Sequence, residues 1–397
     1  MKPAQRITTR ISDAELQRRW TAVRQAMSAK GIDALVTQST NDWLGGIVKW
    51  LTDLPATNGY PRTVIVHANA PMTVIEMGPF GASRALDGKD TLHRGVGDLV
   101  HTPSFFSINY THDYDVELSV AALRKHGSKK IALYAPGALP HALVAGLTSA
   151  WPASTSIVDL TDAVDQLKAI KSREEIGLIR QAAHLQDQVF AKVLSAIRPG
   201  MRDIDVTALA QVEGQRLGSE QGIFLGGSSR VGVRSPFVPR FMQGHTLENG
   251  DHLSLLIEIN GPGGFYTEIA RTIVLGKASA ELLDGFAAVK SAQDHSLVLI
   301  KPGARPADIH EAHDAFMRAR GLPPELRLYA HGQGYDMVER PLIRRDETMP
   351  LAADMCLAVH PGYETDALFA VICDNYLITE TGVSDCLHET PKKVFEV

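Results

Sequence analysis

Ile197-Arg198-Pro199-Gly200-Met201-Arg202-Asp203 returns later in the chain as Ile300-Lys301-Pro302-Gly303-Ala304-Arg305-Pro306. Proline followed by glycine stops a helix: proline has no amide proton to donate, and glycine enters the left-handed region without a steric penalty. Each copy lies between two helical patterns, the second member of each pair falling at 204–217 and 307–320. A β-rich stretch follows each pair, at 223–275 and 327–379. Matching context on both sides of the two copies argues for a duplication. Two helix–helix–hairpin halves would pack their sheets together and leave a cleft along a pseudo-twofold axis, a favourable place for a ligand. A long helical pattern leads into the first copy. Ser172 is its candidate N-cap, Glu174 and Glu175 sit in its first turn, and Ile176, Ile179, Ala183, Val189 and Ile197 mark its apolar side.

The chain ahead of this duplicated part has another texture. Residues 13–30 carry Leu16, Trp20, Val23 and Met27 at helical spacing and are closed by Gly31. Short apolar runs at 34–36, 63–67, 72–76 and 130–134 read as strands, with helical patterns at 116–125 and 138–150. The fold class expected is α/β (α+β), with a smaller α/β domain at 1–160 and a second domain at 161–397. Trp43, Trp50 and Tyr60 fall in a Gly-rich connection and are expected to pack.

Composition narrows the partners. Forty Lys and Arg against 45 Asp and Glu give a net charge of −5 in 397 residues, with no long basic block, so nucleic acid is excluded as a partner. No apolar run approaches the roughly 20 residues that span a bilayer, so no membrane association is expected. The cysteines, Cys356, Cys373 and Cys386, are few and odd in number. That speaks against a disulfide framework and for a cytoplasmic location.

Several motifs then occur in a telling order. Lys168-Ala169-Ile170-Lys171-Ser172 is followed by Glu175, and Gly250-Asp251 by a strand; Gly264-Phe265-Tyr266 runs on to Arg271-Thr272. His331-Gly332-Gln333-Gly334 precedes Val338-Glu339-Arg340-Pro341. Val359-His360-Pro361-Gly362 and Cys373-Asp374 complete the set. The series resembles that of the creatinase/aminopeptidase P/methionine aminopeptidase family, the M24-like "pita-bread" proteins, over the whole chain. Three departures stand out: Val338 replaces the family's second His, His360 the Glu of its Glu-Pro-Gly element, and Cys373 the Glu of its Glu-Asp.

The resemblance implies a site in which metallopeptidases hold two ions with Asp, Asp, His, Glu and Glu. Carried over residue by residue, the first Asp falls on Leu256 or Ile257, with Glu258 the nearest acid. The others become Glu268, His331, His360 and Cys373. By strand parity Glu258 reaches the cleft only if the hairpin is bulged. Too little negative charge then remains for two hard dications. The expectation is a cofactor-free site of creatinase type, in which Glu268, His331 and His360 do acid–base chemistry with Glu339 orienting them. The alternative is one divalent ion, Zn or Mn, on Glu268, His331, His360 and Cys373, a set that would leave no open position for water.

Val338 offers no hydrogen bond to a developing oxyanion, and Pro239 stands where the family has another His, which weakens peptidase action. Arg62, Arg234, Arg240 and Tyr335 are the candidates for binding a small-molecule substrate, the arginines by pairing with a carboxylate. The expected activity is hydrolysis of a C–N bond in a small non-peptide nitrogenous compound, by a homodimer as the resemblance implies. The alternatives are a single-metal hydrolase, deaminase or lyase, an Xaa-Pro-type dipeptidase, and a non-catalytic binding protein.

Overall fold

The computed structural model describes residues 9–40, 46–55, 59–105, 108, 112–151 and 157–397. The chain folds as two units, Arg10–Lys168 and one built on Ala169–Val397. The division lies at 168/169 rather than the expected 160/161, because helix Thr161–Ala169 is tied to the first unit. Leu160 and Val164 are buried, the Ala135 amide donates to Thr161 Oγ1 (2.8 Å), and the Tyr134 hydroxyl donates to Asp165 (2.8 Å).

In the first unit a mixed sheet runs in the order Ser83–Ala85, Val96–Thr102, Met72–Met77, Arg62–His67, Ala34–Ser39, Ile131–Leu133, Ile157–Asp159. Helix Asp13–Ala29 starts where the Ser12 side chain accepts from the Glu15 amide and ends before Gly31, whose φ of 62° is left-handed and favours glycine. Trp50 is buried and Tyr60 lies 5.3 Å from Phe105, both as packing residues; Trp43 lies outside the described residues.

The second unit carries the duplication. Helices Arg173–Ala196 and Asp203–Arg216 form one pair, Ala280–Leu299 and Pro306–Ala319 the other. The two Pro-Gly turns are built alike. Gly200 and Gly303 have φ of 91° and 81°. Gly200 N donates to Leu247 O and Leu247 N returns to Met201 O, each at 2.8 Å. Gly303 N donates to Leu351 O (2.8 Å) and Leu351 N returns to Ala304 O (3.0 Å). Each turn thus pins its helix pair to the segment entering its own sheet. The first sheet is ordered Phe395–Glu396, Tyr266–Val274, His252–Asn260, Gly222–Ser229; the second is Glu339–Leu342, Ala330–Gly332, Cys356–Val359, Asp374–Leu377.

Behind the first sheet lies a core of Val189, Phe190, Val193, Val206, Ile257 and Ile269; behind the second, one of Ile300, Ile309, Tyr329, Leu357, Val359 and Ile378. A bridge between Ala270 and Cys373, with 3.3 Å hydrogen bonds in both directions, joins the sheets. The long helix is set by a capping box: Ser172 Oγ accepts from the Glu175 amide (3.2 Å), and Glu175 Oε2 accepts from the Ser172 amide (2.7 Å). Ser172→Ala is expected to cost about 1 kcal/mol, read as a lower urea midpoint at unchanged slope.

Candidate active site

The strand pair His252–Asn260 and Tyr266–Val274 runs in unbroken antiparallel register, with Glu258 opposite Glu268 and Leu256 opposite Ala270. Side chains alternate along a strand, so these four share one face and Ile257 and Ile269 share the other, in the core. The expectation that Glu258 needs a bulge to reach the cleft is therefore corrected. The turn at 261–265 closes the hairpin, with Gly263 and Gly264 at φ of 71° and 90°. Glu258, Glu268, Leu256 and Ala270 line a cavity of about 240 Å³ with Phe237, Arg327, Leu328, His331, Val338, His360, Val371 and Cys373.

The second sheet supplies the nitrogen donors. His331 is the middle residue of Ala330–Gly332, at a register shift against Glu339–Leu342, and such irregularities re-aim side chains. Its Nδ1–H donates to Gly332 O (2.9 Å), which leaves a lone pair on Nε2, 3.7 Å from Glu268 Oε1. His360 follows strand Cys356–Val359; its amide donates to Tyr329 O (2.7 Å), and its Nε2 lies 3.5 Å from the same Glu268 oxygen. The ligand atoms of Glu268, His331 and His360 all lie within 4.8 Å of one another. Cys373 is not in that trio: its thiol donates to Glu268 Oε1 (3.1 Å).

Burial dominates the electrostatics. It pushes the Glu258 carboxyl well up, helped by the facing Glu268 and opposed by the Gln333 amide. It raises Glu268 too, opposed by His331 and the Cys373 thiol. It drives the His360 imidazole well down, with His331 and Arg327 adding to the effect, and holds the Cys373 thiol up. Both His360 and Cys373 are thus neutral at physiological pH.

Buried amides hold the carboxylates in place. Gln333 Nε2 donates to Glu258 Oε1 (2.9 Å), Asn375 Nδ2 donates to Gln333 Oε1 (2.7 Å), and the Glu268 amide donates to Asn375 Oδ1 (2.7 Å).

Other residues expected at the site lie elsewhere. Glu339 accepts from Lys171 (2.7 Å) and from the amides of Tyr335 (2.9 Å) and Asp336 (3.2 Å), so it fixes the loop after His331 and does not line the cavity. Tyr335 is buried against Phe265, ring centroids 4.3 Å apart. Arg234 is half-exposed, 3.5 Å from Glu364, and Arg240 is an exposed residue reaching Gln211 (3.4 Å). Arg62 belongs to the first unit and donates to Glu76 (2.7 Å). None of these arginines lines the cavity; Arg327 does. Its Nε and one terminal nitrogen donate to the Glu325 carboxylate (3.0 and 2.8 Å) and it reaches His360 O (3.3 Å). The sequence reading missed Arg327, Gln333 and Asn375. Only their closeness in sequence to His331 and Cys373 pointed to them.

The model of metallopeptidase family M24 matches residues 177–380, just over half of the 397. The chain belongs to metallopeptidase family M24. Among M24 relatives, the uncharacterized peptidase YqhT of Bacillus subtilis is 26% identical over 62% of this chain and 69% of its own length. The probable dipeptidase PepE of Mycobacterium tuberculosis is 24% identical over 68% of this chain and 80% of its own. The solved X-Pro aminopeptidase of Thermotoga maritima superposes with a TM-score of 0.77 at 18% identity, covering 95% of this chain and 99% of that one. The pita-bread fold and M24 membership expected from the motifs therefore hold.

The cofactor expectation does not. M24 is a family of metallopeptidases, and the cavity brings together a carboxylate and two imidazoles spaced to hold an ion, so the expectation of a cofactor-free site is overturned. The donors fit a metal: a carboxylate and two ring nitrogens suit a divalent transition ion. Among the described residues, no helix is long and apolar enough to cross a membrane.

Proposed function

We propose that this M24 hydrolase uses a single divalent ion, Zn or Mn, to cleave a C–N bond in a small non-peptide nitrogenous compound. The observation that carries it is the convergence of His331 Nε2 and His360 Nε2 on one oxygen of Glu268, at 3.7 and 3.5 Å. A divalent ion bound there would polarise the oxygen on the scissile carbon and acidify a water.

The side chains do the rest. Gly332 O fixes the His331 tautomer, so the ring presents an acceptor nitrogen. Cys373 spends its proton on Glu268, so three protein ligands leave a fourth position open for the reactants. Glu258, across the strand pair from Glu268 and steered by Gln333, is the group placed to carry a proton to the leaving nitrogen. Arg327, oriented in advance by Glu325, would hold an anionic end of the substrate.

A small substrate fits the size and lining. About 240 Å³ lies below the usual range for drug-sized ligands, and Phe237, Leu256, Ala270, Leu328, Val338 and Val371 offer hydrocarbon, not peptide hydrogen bonds. A second reading, dipeptide hydrolysis, is favoured by the relative named as a probable dipeptidase. A panel decides between them: the chelator-stripped enzyme, reloaded with Zn or Mn, is given small amido, ureido and guanidino acids beside Xaa-Pro dipeptides, and released amine is measured. Turnover confined to the dipeptides would overturn the first reading. Glu258→Gln, which keeps size and can still accept from Gln333, is expected to retain the ion while lowering kcat about 10²-fold.

A further inference from the structure

A second group of metal-ligand side chains lies outside the cavity, where the end of the chain crosses the long helix. His184 and Asp187 are one turn apart on helix Arg173–Ala196 and share a face. Glu389 comes to the same place, its Oε2 3.8 Å from His184 Nδ1. The Asp187 carboxylate is already oriented, accepting from the amides of Glu389 (2.8 Å) and Thr390 (3.0 Å) and from Thr390 Oγ1 (2.5 Å). One ring nitrogen and one oxygen from each carboxylate all lie within 4.8 Å of one another.

An independent feature points at the same spot. The His388 ring is fully buried, and its Nε2 lies 3.3 Å from Asn375 Oδ1. That atom is an acceptor, because it takes the Glu268 amide proton, so His388 carries its own proton on Nε2. Its Nδ1 has no hydrogen-bond partner and faces Asp187 Oδ1 at 3.8 Å. A buried ring nitrogen without a hydrogen bond is costly, and this one is aimed at a carboxylate of the group.

We propose that His184, Asp187 and Glu389 bind a divalent transition-metal ion, with zinc the preferred one. A neutral imidazole and two carboxylates supply the donor types and the two negative charges that Zn²⁺ takes, and the exposure of His184 and Glu389 leaves the fourth position to water. The bound ion would place its charge beside Asp187, the group that the unpartnered His388 nitrogen faces. It also clamps the terminal segment to the helix. That segment sends His388 to Asn375 and the carbonyls of Thr390 and Pro391 to Arg271, beneath the strand that carries Glu268. The ion is therefore a structural one, separate from the cavity.

The test uses the full chain with His331→Ala, which removes the cavity ion, stripped with chelator and titrated with zinc alone by equilibrium dialysis. One equivalent should remain. It should be lost when His184→Ala or Glu389→Gln is added, and zinc should slow amide exchange over residues 384–391 only while His184 is present. If His331→Ala does not fold, the wild type should bind two equivalents and His184→Ala one. No zinc in the His331→Ala chain, or binding unmoved by both surface substitutions, overturns the proposal. Failure of the single-metal active site would appear differently, as a zinc count that His331→Ala leaves unchanged.

Discussion

His331→Ala is expected to lower kcat by at least about 10³-fold and to abolish the cavity ion, because it removes one of three protein ligands from a site with no spare donor. The neighbours do not compensate. His360 and Glu268 are the other two ligands, Cys373 already donates its proton to Glu268, and Glu258 is held by the Gln333 amide. Glu268→Gln should match it. Glu268 lies within 3.7 Å of both imidazoles and the thiol, and an amide brings no charge to balance a dication. Metal content by elemental analysis and kcat by amine release should fall together. Glu258→Gln should separate them, with activity reduced and metal kept. Turnover that survives loss of the ion in His331→Ala would remove the metal from the mechanism.

The sequence exposed the fold better than the site, for physical reasons. A helix stop and a duplicated Pro-Gly are local: Gly200 and Gly303 need their left-handed φ whatever surrounds them, and Ser172 with Glu175 caps its helix within four residues. The site depends on where strands put side chains, which is a question of register. Strand parity from the motif implied that Glu258 needs a bulge to reach the cleft, whereas the pair runs in unbroken register and sets Glu258 directly opposite Glu268. Glu339 was assigned by motif position. The motif does not reveal that Lys171, distant in sequence, draws its carboxylate away from the cavity. Arg327 was hidden for the opposite reason. It has no motif, and its place in the cavity comes from a strand approach that the sequence alone does not align with His360. The cofactor expectation failed on electrostatics. It counted missing carboxylates against two ions, whereas Glu268, His331 and His360 together bring a carboxylate and two ring nitrogens within reach of an ion.

Asp374→Ala is expected to cost about 3–5 kcal/mol, the usual penalty for stranding a buried charge. Arg271 and Asp374 are both fully buried and 2.6 Å apart. Arg271 also donates to the carbonyls of Ala270 (2.8 Å), Cys373 (2.9 Å), Thr390 (3.0 Å) and Pro391 (3.0 Å). Those four carbonyls solvate the guanidinium but do not neutralise it, so removing Asp374 leaves a positive charge in the protein interior. Gln293, which donates to Asp374 Oδ2 (3.2 Å), loses that acceptor too. Urea unfolding should show a large drop in midpoint. The double substitution Arg271→Met with Asp374→Leu should cost less than Asp374→Ala alone, since it removes both charges and fills the space with hydrocarbon. The same cycle reports on the site. Arg271 lies three residues beyond Glu268 on one strand, and Asp374 follows Cys373 on the other, across the Ala270–Cys373 bridge. If the ion pair sets that seam, the double variant will fold yet bind the cavity metal more weakly than the wild type, because the backbone bridge without the ion pair holds Glu268 less firmly against His331 and His360.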